Sequence, residues 1–379
     1  MENRGFYTVP VDGVFHAEIT QSFVGWLEVF ILGEYWARDA KAMMNSEIRP
    51  NFFIVGAPKC GTTALDYYLS LHPDIFVARK EMHHFGSDLR FGLQFFRRDR
   101  EAYLAEFAGC KGQSCIGESS VWYLYSSRAA EEIKAFNPDA KIIIMLRDPV
   151  ALLHAMYCAF RADGNEILPT FEEALAAEGQ RKRGLRIGRQ TYLAQALVYR
   201  SIVRFTGQVR RYFDIFGRER VKVIIYDDFN ADTAGVYRRT LDFLGVSPNH
   251  PVPSFRPVNA NVNGNESVHS PVARAVLNDP LVRGTAIALR AWVPRPLFLM
   301  VQRAGLRLNE LNFIKNPPKR LPLSSELQDS LRREFAPEVE ELSVLLGRDL
   351  SHWSETPVES SRWWTPDKKG EASRVGHAV

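Results

Sequence analysis

At 379 residues, 46% apolar and 24% charged, the chain is long enough to bury a large core and has the composition of a folded globular protein rather than a disordered one. A net charge of +4 gives no ground for a nucleic-acid partner, and four cysteines in such a length do not make a disulfide framework, so a reduced, cytoplasmic setting is expected. Length allows one large α/β domain or two smaller ones, and the pattern below favours one elaborated domain.

Residues 1–48 form a segment in which Ile19, Phe23, Trp26 and Phe30 recur at helical spacing, which predicts a helical extension with one apolar stripe. Packing on the main domain, a dimer contact and a wall for a ligand all remain open to that stripe. The apolar run 23–37 is interrupted by Glu28 and Glu34, so no transmembrane helix is expected, and the charged, apolar and cleavable order of a signal peptide is missing.

Residues 52–55 read as a buried strand, Gly56 and Gly61 bound a loop, and Thr62-Thr63 open a helix with apolar residues at Leu65, Tyr68, Leu69 and Leu71. Glycines let backbone approach an anion, amides point into such a loop, and the positive end of the helix dipole faces the same spot. The spacing fits the first part of the triphosphatase loop GxxxxGKS/T, but Thr62 stands where the lysine belongs and Lys59 sits inside the loop. Lys59 therefore suits a single 5′ phosphate and the bond that leaves from it, whereas a turn with an incidental lysine is the plain alternative.

A short strand over 73–77 places Lys80 and Glu81 near a strand end, where ligands gather in open α/β sheets. Glu81 there is a candidate general base, and a surface ion pair with Lys80 is the alternative. Residues 86–115 are rich in Phe and Arg, with a helix expected around 103–107, and 116–120 read as a short strand and turn. Cys110 and Cys115 can approach each other across a short loop. Residues 140–146 form a continuous apolar strand, stopped by Arg147-Asp148-Pro149 before a helix over 150–160. A guanidinium at a strand end can clamp a phosphate bidentately. Asp148 ends a hydrophobic strand as a magnesium-holding aspartate would, yet Arg147 and Pro149 beside it speak against a cation site.

A short helix is predicted over 171–177, one or two helices over 191–216, a strand over 221–226 and a helix over 234–244 that stops at Gly245. Twelve Lys and Arg residues between Arg181 and Lys222 face only Asp214 and Glu219 in sequence, which reads either as a solvated helical face or as a field that attracts anions. Residues 249–270 are expected to be an irregular loop over the site. Residues 271–308 are expected to pack on the domain, with a membrane-surface segment or a lid for a greasy acceptor as the alternatives. Ser325 with Gln328 predicts a capping box for a helix over 326–346, and 355–379 is a polar tail expected to be disordered.

Taken in order, Pro58-Lys59-Cys60-Gly61-Thr62-Thr63, His72-Pro73, Lys80-Glu81-Met82-His83-His84-Phe85, Gly117-Glu118-Ser119-Ser120, Leu146-Arg147-Asp148-Pro149, Tyr226-Asp227-Asp228-Phe229, Phe243-Leu244-Gly245-Val246 and Leu346-Gly347-Arg348-Asp349-Leu350 with Trp353 form a series. It resembles the sulfotransferases that use 3′-phosphoadenosine 5′-phosphosulfate (PAPS), nearest in pattern to the bacterial and heparan-sulfate type. The resemblance implies a P-loop-like three-layer α/β/α fold with a central parallel sheet, built by residues 49–354 after the N-terminal helical extension.

It further implies PAPS as sulfuryl donor with no metal, and an acceptor hydroxyl or amine on a small molecule, lipid or saccharide. By the same resemblance Lys59, Cys60, Gly61, Thr62, Thr63 and Arg147 bind the donor, Glu81 is the general base, His83 is the competing base, and Lys59 also stabilises the departing 5′ phosphate. Cys60 by itself reads as loop packing. Glu118 either orients Lys59 or the acceptor, or is a structural carboxylate.

Three positions depart from the family pattern: His84 for an aromatic residue, Val121 for a proline, and Ala155 for the serine eight residues after Arg147. A missing neutral hydrogen bond costs on the order of 1 kcal/mol, so Ala155 bears on 3′-phosphate affinity, and His154 is either a partial substitute or a packed helix residue. The rival functions are a P-loop kinase or triphosphatase and a nucleotide-binding protein on the same scaffold without turnover. A homodimer and peripheral membrane contact stay open.

Overall fold

The computed structural model describes residues 48–91, 100–189, 191–250, 255 and 323–355, together with the backbone of 267–268 and 313–314. The expectations for the N-terminal helix, most of the 249–270 loop, residues 271–308 and the polar tail beyond 355 lie outside the described residues. In chain order the elements are β1 (Phe52–Gly56), α1 (Thr62–Ser70), β2 (Ile75–Val77), α2 (Arg100–Ala105), β3 (Cys115–Ser119), α3 (Ala129–Phe136), β4 (Lys141–Leu146) and α4 (Pro149–Ala162). There follow α5 (Phe171–Ala176), α6 (Glu178–Arg181), α7 (Tyr199–Ile202), α8 (Phe205–Phe216), β5 (Val221–Ile225), α9 (Tyr226–Ala231), α10 (Thr233–Leu244), the short antiparallel pair β6 (Ser267–Val268) and β7 (Phe313–Ile314), and α11 (Ser325–Leu346).

The chain divides into two compact units, residues 1–146 with 191–195 and 211–261, and residues 147–190 with 196–210 and 262–379. In the first, five parallel strands hydrogen-bond in the order β2-β3-β1-β4-β5. Every residue of β1 and residues 142–146 of β4 are buried, because a central parallel strand is covered on both faces and so has no polar side to alternate with. This five-stranded parallel sheet flanked by helices is the α/β architecture expected from the sequence. Helix α1 packs on β1 and β2, and α10 packs on α1 and β5. Gly117 is required in β3 because a Cβ there would lie 2.0 Å from the Phe52 ring of the adjacent strand.

In the second unit α4 packs against α5, α7 and α11. Its N-cap is Asp148, which accepts from Val150 N at 2.8 Å and Ala151 N at 3.0 Å, with Pro149 at the first helical position. The buried Arg181 guanidinium lies 2.6 Å from Glu166, whose other oxygen accepts from Tyr199 at 2.9 Å.

Several elements differ from the sequence expectations. The cap of α11 is Ser324, whose hydroxyl accepts from Leu327 N at 3.3 Å, one residue earlier than the predicted capping box. The helical stretch expected over 191–216 breaks into a short 3-10 turn at Ala194–Leu197, α7 and α8. The Gln208 amide accounts for the second break, since it donates to the Ser201 and Ile202 carbonyls at 3.3 and 3.1 Å that end α7. Helix α3 is absent from the expectations although Ala129, Ala130, Ile133 and Phe136 form its buried face, and so is α9, which holds Asp227-Asp228-Phe229. Cys110 and Cys115 are not bridged; all four cysteines are free thiols. Among the described residues no helix is long and apolar enough to cross a membrane.

Candidate active site

The loop between β1 and α1 is held at both ends by glycines. Gly56 has φ 144°, and a Cβ there would stand 2.5 Å from the Val121 carbonyl oxygen; Gly61 has φ 87° and sits against the Tyr226 and Phe229 rings. The loop is tied to the sheet by Ala57 N, which donates to the Met145 carbonyl at 2.7 Å. Gly61 is also the N-cap of α1, so no side chain caps the first turn, where Thr62 is buried and Thr63 exposed. An uncapped helix start above a tight loop suits an anion. Cys60 is buried with its thiol 3.4 Å from the Pro58 carbonyl, the packing role the sequence suggested. Lys59 is half-buried.

Among the described residues only four non-glycines take a positive φ: Lys59 at 62°, Glu81 at 60°, His83 at 49° and Arg186 at 54°. Left-handed backbone costs an ordinary residue roughly 1–2 kcal/mol, so it persists where surrounding structure imposes it. Three of the four are the residues the sequence singled out for chemistry.

What imposes it at Glu81 and His83 is visible in the hydrogen bonds. Beyond β2 the segment 78–85 stays zipped to β3 and the turn after it. Ala78 N donates to Gly117 O at 3.0 Å, Glu81 N to Ser119 O at 2.8 Å, His83 N to Ser120 Oγ at 3.1 Å and His84 N to the Tyr123 hydroxyl at 2.8 Å. The Glu81 carboxylate is thereby fixed with Lys80 Nζ 3.0 Å from Oε1, and with His83 Nε2 at 3.3 Å and Val121 N at 3.2 Å from Oε2. Lys80 Nζ donates also to Ser119 Oγ at 3.0 Å.

Burial pushes the His83 imidazole down to about 4, against the pull of Glu81. At neutral pH the ring is therefore uncharged; its Nε2 faces Glu81 Oε2 while Nδ1 is buried without a hydrogen-bond partner. The Phe91 ring stacks on it at 4.4 Å, and Tyr192 stacks on Phe91 at 6.2 Å.

Beneath this segment lies Glu118, fully buried. Ser120 donates to its Oε1 at 2.7 Å, Tyr123 to the same oxygen at 2.5 Å and Tyr103 to Oε2 at 2.5 Å. Burial raises its carboxyl to about 7 despite those three donors. Of the roles the sequence left open for Glu118, this one organises the turn that anchors His83 and His84. His84, where an aromatic residue was expected, does an aromatic's work by stacking on Tyr103 at 4.0 Å.

Arg147 follows the last residue of β4 and opens the second unit. The neighbouring Asp148 is occupied twice over, as the cap of α4 and as the partner of Arg332 at 3.2 Å. Ala155 is buried in α4, and His154 faces the Cys158 thiol at 3.6 Å and the Phe171 ring, as a packed helix residue does. The basic stretch 181–222 is neither one solvated face nor one open field. Arg181 pairs with Glu166, Arg200 with Glu178 and Glu334, Arg204 with Glu338 and Arg220 with Asp139, while Lys182, Arg183, Arg186, Arg189 and Arg210 are exposed.

Sequence reasoning missed Asp66. It stands on α1 among apolar residues and looks like the polar side of an amphipathic helix, yet Lys80, Glu81 and Ser119 all act on it. Only its juxtaposition with residues 80, 81 and 119 reveals it, and no spacing rule would.

The sequence profile of the sulfotransferase domain matches residues 49–262. The membrane-associated sulfotransferase kil1 of Dictyostelium discoideum is 36% identical over 102 residues, which cover 27% of this chain and 21% of that protein. Mouse carbohydrate sulfotransferase 15 is 28% identical over 252 residues, covering 52% of this chain and 44% of its own length. The chain thus spans less than half of these curated relatives. Among solved structures, the sulfotransferase from Alicyclobacillus acidocaldarius is 32% identical with a TM-score of 0.59, covering 81% of this chain and all of that one.

Proposed function

Because the chain belongs to the sulfotransferase domain family, we propose that it transfers the sulfuryl group of PAPS to a hydroxyl or amine of an acceptor, with Glu81 as general base. The observation that carries this reading is the coincidence of imposed backbone at Lys59, Glu81 and His83 in one unit. Such strain gathers at sites where geometry matters more than stability.

The residues fit the donor. The glycine-bounded loop, the helix start without a capping side chain and the loop lysine together suit a phosphate ester. PAPS supplies an activated sulfuryl group on a 5′ phosphate that departs. Lys59 and the amides at Gly61, Thr62 and Thr63 hold positive charge where that phosphate's charge grows, and Cys60 packs the loop. Glu81 removes the proton of the attacking hydroxyl or amine. His83, uncharged, keeps the carboxylate aimed, so it supports the base rather than replacing it. Arg147 clamps the 3′ phosphate with Ala155 in place of a hydroxyl, which leaves the guanidinium to do that work without a neutral helper.

A saccharide acceptor is supported by the naming of carbohydrate sulfotransferase 15 among the relatives and by the aromatic stack beside His83, a surface that suits a ring. Small-molecule and lipid acceptors share the same chemistry.

Titration calorimetry with 3′-phosphoadenosine 5′-phosphate, adenosine 5′-phosphate and magnesium ATP tests the donor site. The bisphosphate is expected to bind in preference, and Lys59→Ala and Arg147→Ala to weaken it. Preference for magnesium ATP, or indifference to the 3′ phosphate, would overturn the reading.

A further inference from the structure

The geometry points to Asp66 as a further positioning residue: through Ser119 it offers Lys80 a second carboxylate, and so releases Glu81 Oε1 to accept the acceptor's proton. The inference rests on the reading of Glu81 as the base.

Both oxygens of Glu81 are engaged, Oε1 by Lys80 at 3.0 Å and Oε2 by His83 at 3.3 Å and Val121 N at 3.2 Å. The Lys80 ammonium favours the charged form of the carboxylate, so Oε1 takes the acceptor's proton more readily once that cation has moved off it. The two groups at Oε2 are fixed, one a backbone amide that donates to it and the other a buried ring. Lys80 is different, being a flexible ammonium with three donors, already shared between Glu81 Oε1 and Ser119 Oγ. On the far side of Ser119 stands Asp66, hydrogen-bonded to the Ser119 side chain, with its Oδ1 buried and without any hydrogen-bond partner. Such an oxygen is costly to leave unpaired, and Lys80 is the cation that acts on this carboxyl.

The groups that act on Asp66 come from two other stretches: the segment after β2 with Lys80 and Glu81, and β3 with Ser119. Burial raises the Asp66 carboxyl to about 6; Glu81 adds to the rise, and Lys80 and the Ser119 hydrogen bond oppose it. Below that pH Asp66 is neutral and Lys80 stays on Glu81. Above it Asp66 is an anion and draws Lys80 toward Ser119, so the base is released as pH rises through about 6.

The test needs no acceptor. Protein carrying 13C-labelled Asp and Glu carboxyls is titrated by NMR, with the Glu81 signal assigned by its loss in Glu81→Gln and the Asp66 signal by its loss in Asp66→Asn. The Glu81 signal is expected to show an inflection in step with Asp66 near pH 6, and to lose it in Asp66→Asn. Should Asp66→Asn fail to fold, Ser119→Ala serves. It removes the hydrogen bond that lowers the Asp66 carboxyl, so the shared inflection must move to higher pH. A Glu81 signal without that inflection, or one unchanged by Asp66→Asn or Ser119→Ala, overturns the inference and leaves the base reading intact. Undiminished sulfuryl transfer by Glu81→Gln would instead sink the base reading while the coupling stood.

Discussion

Among the ion-paired carboxylates of the described residues, Glu166 and Glu81 are set in opposite ways. Glu166 in the second unit is wholly buried with Arg181; one oxygen takes the guanidinium at 2.6 Å and Leu168 N at 2.8 Å, the other the Tyr199 hydroxyl. Glu81 in the first unit is 35% exposed, stands on left-handed backbone and shares its lysine with Ser119. The first arrangement leaves the carboxylate nothing to exchange, which is what a structural ion pair needs. The second keeps a charge accessible and one of its partners mobile, which is what proton transfer needs.

That contrast is open to attack at several strengths. Arg181→Met leaves Glu166 buried without its cation and is expected to cost about 3–5 kcal/mol of stability in urea unfolding. Lys80→Met, at a partly exposed pair, is expected to cost less than about 1 kcal/mol. Equal losses would erase the distinction. On the chemical side, Lys59→Ala removes one positive group from the departing phosphate and is expected to lower turnover by about 10²–10³ in steady-state kinetics, with weaker bisphosphate binding.

His83 gives a prediction with a sign. Its folded value of about 4 lies below the ordinary 6.5, so the unfolded chain binds the proton more readily. Stability is full above pH 6.5 and is lost as pH falls toward 4, roughly 2–3 kcal/mol by pH 4.5. Urea unfolding at both pH values should show that loss in the native chain and not in His83→Phe. The smallest effect belongs to the cap of α11: Ser324→Ala is expected to cost about 1 kcal/mol and to leave bisphosphate binding alone.

How much of this was readable beforehand follows from where each signal resides. β1 and β4 are buried on both faces, so their apolar runs announced themselves, and Gly56 and Gly61 marked the loop between β1 and α1. Glu81 and His83 were singled out through the family motif as base and competing base, and two residues of separation on one segment bring them together. Asp66 was not, since its partners come from two other elements. The arginine run misled for the same reason: its carboxylates lie as far off as Glu334 and Glu338, and nearby sequence contains almost none. Helices α3 and α9 are too short for periodicity to stand out, and tertiary packing decides them.

The most direct measurement is transfer of 35S from labelled PAPS to a panel of saccharide, phenolic and lipid alcohols by the native protein and by Glu81→Gln, with bisphosphate affinity determined in parallel. The account predicts transfer by the native protein, a loss of about 10²–10⁴ in Glu81→Gln, and equal affinity in both. Transfer at the native rate by Glu81→Gln would contradict it.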